Sequence, residues 1–166
     1  LHWLVLGLLM AMQAATASAQ VACPPALKPA VQEAKAVRLA AEMLSRYHYK
    51  PTPLDDALSS QMLDQYLKSL DPEKLHFLQS DIDRLGGIRT RLDDAIFAED
   101  LRVPFDIFNL FGCRAAERLA FSRGLLQKGF DFQREETLLI DRKDQPWAAT
   151  EAQLQDLWRK RGKNDW

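Results

Sequence analysis

Two cysteines and three histidines in 166 residues are too few for a disulfide framework or a metal cluster. An excess of either charge sign is also missing. With 22 basic and 23 acidic side chains, no global field recruits nucleic acid or an anionic membrane surface, so partners must be found by shape. The motifs that carry chemistry are absent in turn: no G-x-S-x-G elbow, no H-E-x-x-H, no P-loop and no C-x-x-C occurs. His2 lies in an apolar leader. His48 and His76 have no carboxylate at helical spacing and read as ordinary amphipathic surface residues. Asp93, Asp94, Glu99 and Asp100 form an acidic patch without metal-ligand geometry. No residue is assigned a catalytic, cofactor-binding or metal role, and no cofactor is expected. Repeats, low-complexity segments and long linkers are lacking as well.

What is present is apolar. At 47% hydrophobic residues the chain is too hydrophobic for disorder and has the length for one domain with a sizeable core. Residues 1–15 are apolar apart from His2 and Gln13 and run into the small-residue site Ala17-Ser18-Ala19. A run this short with such an ending reads as a secretory signal peptide, residues 1–19, rather than a membrane span. Its basic start is missing and the chain opens on Leu1, which reads as a truncated or alternative beginning. Cleavage after Ala19 leaves Gln20 first, with no membrane span in the remainder. A lipoprotein site at Val21-Ala22-Cys23 is the alternative, with Gln20 a poor residue for it. Cys23 and Cys113 can pair in an oxidising compartment or remain free thiols.

The mature chain reads as all-α, with about five amphipathic helices and an extended arm before the last. Pro24, Pro25 and Pro29 make residues 20–30 an extended leader. Val37, Ala40, Ala41, Leu44 and Tyr47 then recur at helical spacing over residues 31–48. Thr52-Pro53 supplies an N-cap and first-turn proline for a second helix, with Asp55 in a capping-box position. Its stripe is Leu54, Leu58, Met62, Leu63, Tyr66, Leu67 and Leu70. A third helix capped by Ser80 carries Ile82, Leu85, Ile88, Leu92 and Ile96 inward, with a kink or break at Gly86-Gly87. A fourth, entered near Pro104, presents Phe105, Phe108, Phe111, Ala115, Leu119, Ser122 and Leu126 on one face and stops at Gly129. Ile107, Leu110 and Leu125 widen that face, so the helix carries more apolar surface than so small a bundle can cover. Residues 130–147 lose the period, with a short strand expected at 137–140, and Thr150 to Gln153 caps the last helix.

Two side-chain groups call for a bland reading. Tyr47-His48-Tyr49 reads as a staple between two elements rather than a binding platform. Arg159, Lys160, Arg161 and Lys163 read as a solvated helix end rather than an anion site.

The chain is organised around residues 66–82, Y-L-K-S-L-D-P-E-K-L-H-F-L-Q-S-D-I. Pro72 has no N–H and biases Asp71 away from helix, so the second helix ends near Leu70. Leu75, Phe77 and Leu78 are apolar residues on a connector, which requires the connector to fold back onto the helices. This stretch resembles the N-terminal region of the periplasmic tail-specific, or carboxy-terminal processing, proteases. Residues 105–118 and 141–161 extend the resemblance in the same order. Gly162 and Trp166 depart from the family pattern, and residues 162–166 read as a truncated end of a helical domain spanning 31–161. The resemblance implies a periplasmic serine endopeptidase that acts on proteins through apolar C-terminal segments. Its PDZ domain and Ser/Lys protease domain would lie beyond Trp166. The chain is then a scaffold and docking region without catalytic residues. Expected partners are protein or peptide substrates, the PDZ and protease domains, and a protein adaptor. The rival reading is an independent secreted helical binding module.

Overall fold

The computed structural model describes residues 21–166. The signal-peptide and Gln20 readings therefore lie outside the described residues. Six helices, and no strand, occur among those residues: α1 (Val31–Tyr47), α2 (Asp56–Leu70), α3 (Gln79–Leu85), α4 (Leu92–Phe97), α5 (Arg102–Lys128) and α6 (Glu151–Asp165). A single 3-10 turn, Gly86–Ile88, follows α3. The count exceeds five because the third predicted helix breaks at its glycines. Gly86 has φ −56°, so the break follows from poor helix propensity rather than from a left-handed backbone.

Caps fall where side chains reach free N–H groups, and two of the expected ones move. The α2 cap is Asp55, not Thr52, because its carboxylate accepts from Leu58 N at 2.9 Å. The α3 cap is Leu78, not Ser80. Asp81, at the third helical position, reaches back to accept from Leu78 N at 3.1 Å, half of a capping box. The first turn of α4 is served from another helix: Leu92 N donates to Ser59 Oγ at 2.8 Å while that hydroxyl donates to Arg89 O at 2.9 Å. Thr150 accepts from Gln153 N as expected. Gly129, at φ 77°, ends α5 in a conformation that only glycine adopts without strain.

The core is built around the connector. Phe77 is fully buried against Leu63 and Leu67 of α2, Leu92 of α4 and Ile107 of α5. Residues 130–147 form an irregular arm with no strand at 137–140. The one ladder pairing among the described residues lies just past the arm, the parallel bridge between Leu78 and Ala148, where Gln79 N donates to Ala148 O at 2.9 Å. The arm is held to α6 through Gly162, where a side chain would stand 3.1 Å from the Phe130 ring. Gly162 thus leaves room for an aromatic ring.

Two predicted faces are turned. On α5 the inward line is Ile107, Phe111, Arg114 and Arg118, not the line through Phe108, Leu119 and Leu126, which are 41, 53 and 50% exposed. Half of the inward line is charged, so an apolar count misplaces it. On α1 only Ala34 is buried, and Leu44 and Tyr47 are exposed. Tyr49 is also exposed, so the Tyr47-His48-Tyr49 run staples nothing. Cys23 and Cys113 form a disulfide across 90 residues of sequence, with Cα atoms 4.6 Å apart. Closing a loop of that size restricts the unfolded chain by about 4 to 5 kcal/mol in the chain-entropy treatment.

Truncating Ile107 to Ala should lower stability by about 2 to 5 kcal/mol, whereas Phe108→Ala should cost about 1 kcal/mol or less. Chemical denaturation of both variants checks the turned face; equal losses would contradict it.

Candidate functional site

Two buried carboxylates position everything that the connector presents. Asp71, 1% exposed, follows the last residue of α2, and its side chain turns back into the loop that Pro72 starts. It accepts from the N–H groups of Leu75, His76 and Phe77 at 2.8, 3.1 and 3.1 Å. Trp147 Nε1–H of the arm donates to the same carboxylate at 3.2 Å. His76 Nδ1 stands 3.2 Å from it and donates in the tautomer protonated there. His76 thus has a carboxylate partner after all, five residues back in a loop rather than on a helix. Asp81, fully buried, receives Arg114 Nε and Nη2 at 2.9 and 3.0 Å and Arg84 besides. It fastens α3 to α5. Beside it Arg118, also buried, pairs with Glu151 of α6.

Burial alone would raise both carboxyls, but for both the net direction is downward. For Asp71 the burial effect is outweighed by His76 and the three loop N–H groups, and for Asp81 by Arg114, the Leu78 N–H and Arg84.

Most of the basic run at the end of α6 is engaged by carboxylates, while Arg161 stays 43% exposed, 3.8 Å from Asp165. Arg159 grips Glu136 of the arm with two guanidinium nitrogens, at 2.8 and 2.6 Å, and Lys163 Nζ adds a third bond at 3.0 Å. These cations hold the Glu136 carboxyl down to about 2. Lys160 pairs with Asp156. The acidic patch is dispersed in the same way, Glu99 to Arg38 and Asp100 to Arg102, while Asp93 is buried on α4. Among the described residues no group of three or more His, Cys, Asp or Glu is placed to hold a metal ion. No helix of those residues is long and apolar enough to cross a membrane.

What the surface offers is apolar concavity beside α1. A trough of about 400 Å³ lies between Val37, Ala41 and Leu44 of α1 and Leu58 and Met62 of α2. A second hollow, about 500 Å³, shares Val37, Met62 and Ile96 with it and continues to Tyr66, Phe105 and Ile107. Above them α1 turns Leu39, Met43, Leu44 and Tyr47 outward, each more than half exposed. Together these side chains leave an exposed apolar patch on α1.

A family model described as the tail specific protease N-terminal domain matches residues 40–166. This chain belongs to that family. The tail-specific protease of Haemophilus influenzae is 37% identical to it over 140 residues, 82% of this chain. The aligned region is 20% of the length of that relative, so the chain spans about a fifth of the curated protein it matches. The resemblance carried by residues 66–82, 105–118 and 141–161 is therefore correct, and the connector at its centre contributes Asp71, Leu75 and Phe77 to the buried interior of this tail-specific protease domain.

Sequence reasoning missed Asp71, Asp81, Arg114 and Arg118. An Asp before Pro at a helix end can gather the N–H groups of the following loop, and an acid three residues beyond Leu78 is a capping-box signal. The arginine partners, 33 residues away, leave no local sign.

A carboxyl whose folded pKa is depressed stabilises the fold at pH values above its unfolded value, about 4, and that contribution is lost as pH falls through the folded value. Stability in denaturant should stay level from pH 7 to about 5 and fall below about 4, with a shallower fall in Asp81→Asn. A decline beginning above pH 6, or one unchanged in that variant, would contradict the assignment.

Proposed function

We propose that this chain is the helical docking scaffold of a periplasmic tail-specific serine endopeptidase, which trims or degrades proteins from their C-terminal segments. The observation that carries the docking role is the unpartnered apolar face of α1 with the hollows beneath it. In a domain that aligns with a fifth of its curated relative, the partner of that face is the remaining PDZ and protease portion of such an enzyme. Oxidised Cys23–Cys113 supports the compartment, since structural disulfides persist where thiols are not kept reduced. The small-residue site before Gln20 supports export. The Ser/Lys dyad that the reaction needs belongs to that remaining portion, and this region supplies shape alone. Substrates and a protein adaptor are partners of the assembled enzyme.

The chain on its own should not hydrolyse peptides, and a serine-directed phosphonate should leave its mass unchanged; labelling of any serine would overturn that part of the reading. Co-expressed with the downstream portion of the Haemophilus influenzae relative, it should co-purify as a complex. Leu39→Glu with Leu44→Glu should abolish the complex while helical circular dichroism is retained. A monomer by sedimentation that binds no hydrophobic dye and ignores the downstream portion would favour an independent binding module.

A further inference from the structure

The attachment of α1 to the body is unusual in how little of it is non-covalent. Only Ala34 of its seventeen residues is buried. Among the described residues its single polar link to another element is Arg38 to Glu99, 3.3 Å apart and solvent-exposed on both sides. Exposed pairs of this kind hold weakly. The hollows between α1 and the α2/α4 surface mean that the helix leans over that surface without filling it.

The leader that feeds α1 is fastened at two points one helical turn apart on α5. Cys23 bonds to Cys113. Four residues along, Leu27 N donates to Asn109 Oδ1 and Asn109 Nδ2 donates to Leu27 O, both at 2.9 Å. As the leader advances from 23 to 27 its partners retreat from 113 to 109, so it lies antiparallel along α5. Pro24 lies close over Gly112 on the same face: a Cβ there would stand 3.7 Å from the proline ring. The Asn109 bonds are exposed and open to competition from water. The disulfide is the one link that thermal motion cannot break.

We propose that Cys23–Cys113 is a redox-cleavable strap that holds α1 as a lid over the apolar trough on α2 and α4. A dithiol reductant attacks one sulfur to give a mixed disulfide. Its second thiol then displaces the other partner, leaving as a cyclic disulfide. Two electrons and two protons pass to the protein, and Cys23 and Cys113 become thiols. Residues 21–47 are then tied to the body only by the Asn109 bonds, the exposed ion pair and partial packing. The lid opens and uncovers Leu58, Met62 and Ile96. The body stays folded, because its core of Leu63, Leu67, Phe77, Leu92 and Ile107 contains no residue of α1. The inference stands apart from the docking role, since it concerns what α1 covers rather than what covers α1.

Amide hydrogen exchange on the intact chain tests it. Oxidised protein is compared with protein reduced by dithiothreitol, complete reduction being verified by alkylation of two thiols. Exchange over residues 31–47 should quicken about tenfold or more on reduction, with hydrophobic-dye binding rising in step, while α2 and α5 keep amides that remain far better protected than those of α1. Cys23→Ser, a change on the exposed leader, should reproduce the effect without reductant, and reoxidation should reverse it in the wild-type chain. Unchanged exchange over 31–47 would show that packing alone holds α1. Loss of protection in α2 and α5 together with α1 would show the bridge to be a staple of the whole fold. Either result overturns the proposal.

Discussion

The buried carboxylate of Asp71 is the interaction on which the remaining contacts depend. A connector without regular structure must satisfy its N–H groups somewhere, and here three consecutive ones, from Leu75 to Phe77, converge on one side chain. That convergence inserts Phe77 into the space between α2, α4 and α5 and turns the Leu75 carbonyl toward Trp158 Nε1, 2.6 Å away. The Trp147 indole reaches the same carboxylate from the arm. One charge therefore aligns the end of α2, the connector, the arm and α6. Its desolvation cost is met by hydrogen bonds from the loop, His76 and Trp147.

A second layer of ion pairs makes the domain longer than its apolar core. Beyond Phe111 the inward face of α5 continues as Arg114 and Arg118, which meet Asp81 of α3 and Glu151 of α6. Buried pairs of this kind add little net stability, yet each is costly to break from one side. They fix which way α5 is turned about its axis. In the same manner Glu136, between Arg159 and Lys163, settles an arm that has few backbone bonds of its own.

Much of this was legible in the chain. Period and caps place the helices: α1, α5 and α6 start within a few residues of the expected points, and Gly86-Gly87 divides the third. Pro72 and the apolar connector residues require a folded-back corner, and that corner is the core. The misread helix faces share one cause. Spacing says which residues are apolar, not which elements are available to cover them. Val37 and Leu44 therefore read as core although open hollows separate them from α2 and α4, Tyr47 reads as inward although it is exposed, and Phe108 reads as core although Arg114 and Arg118 determine the turn of α5. The pairing of Cys23 with Cys113 was open in the sequence because a proline-flanked leader gives no sign of where it lies. The surplus apolar surface expected of α5 is present at Phe108, Leu119 and Leu126, and α1 adds an exposed apolar face that spacing did not show.

The central claim is that Asp71 organises the connector as an anion, and replacing it with Asn is the most direct challenge. The amide keeps the size but offers one acceptor oxygen, and its NH₂ group faces donors. With at least one loop N–H left unpaired in a buried site, the account predicts lost exchange protection at Leu75, His76 and Phe77. It also predicts a fall in global stability of about 3 kcal/mol or more. If those three amides keep their wild-type protection in Asp71→Asn, with stability unchanged to within about 0.5 kcal/mol, the connector is held by apolar packing and the account is wrong.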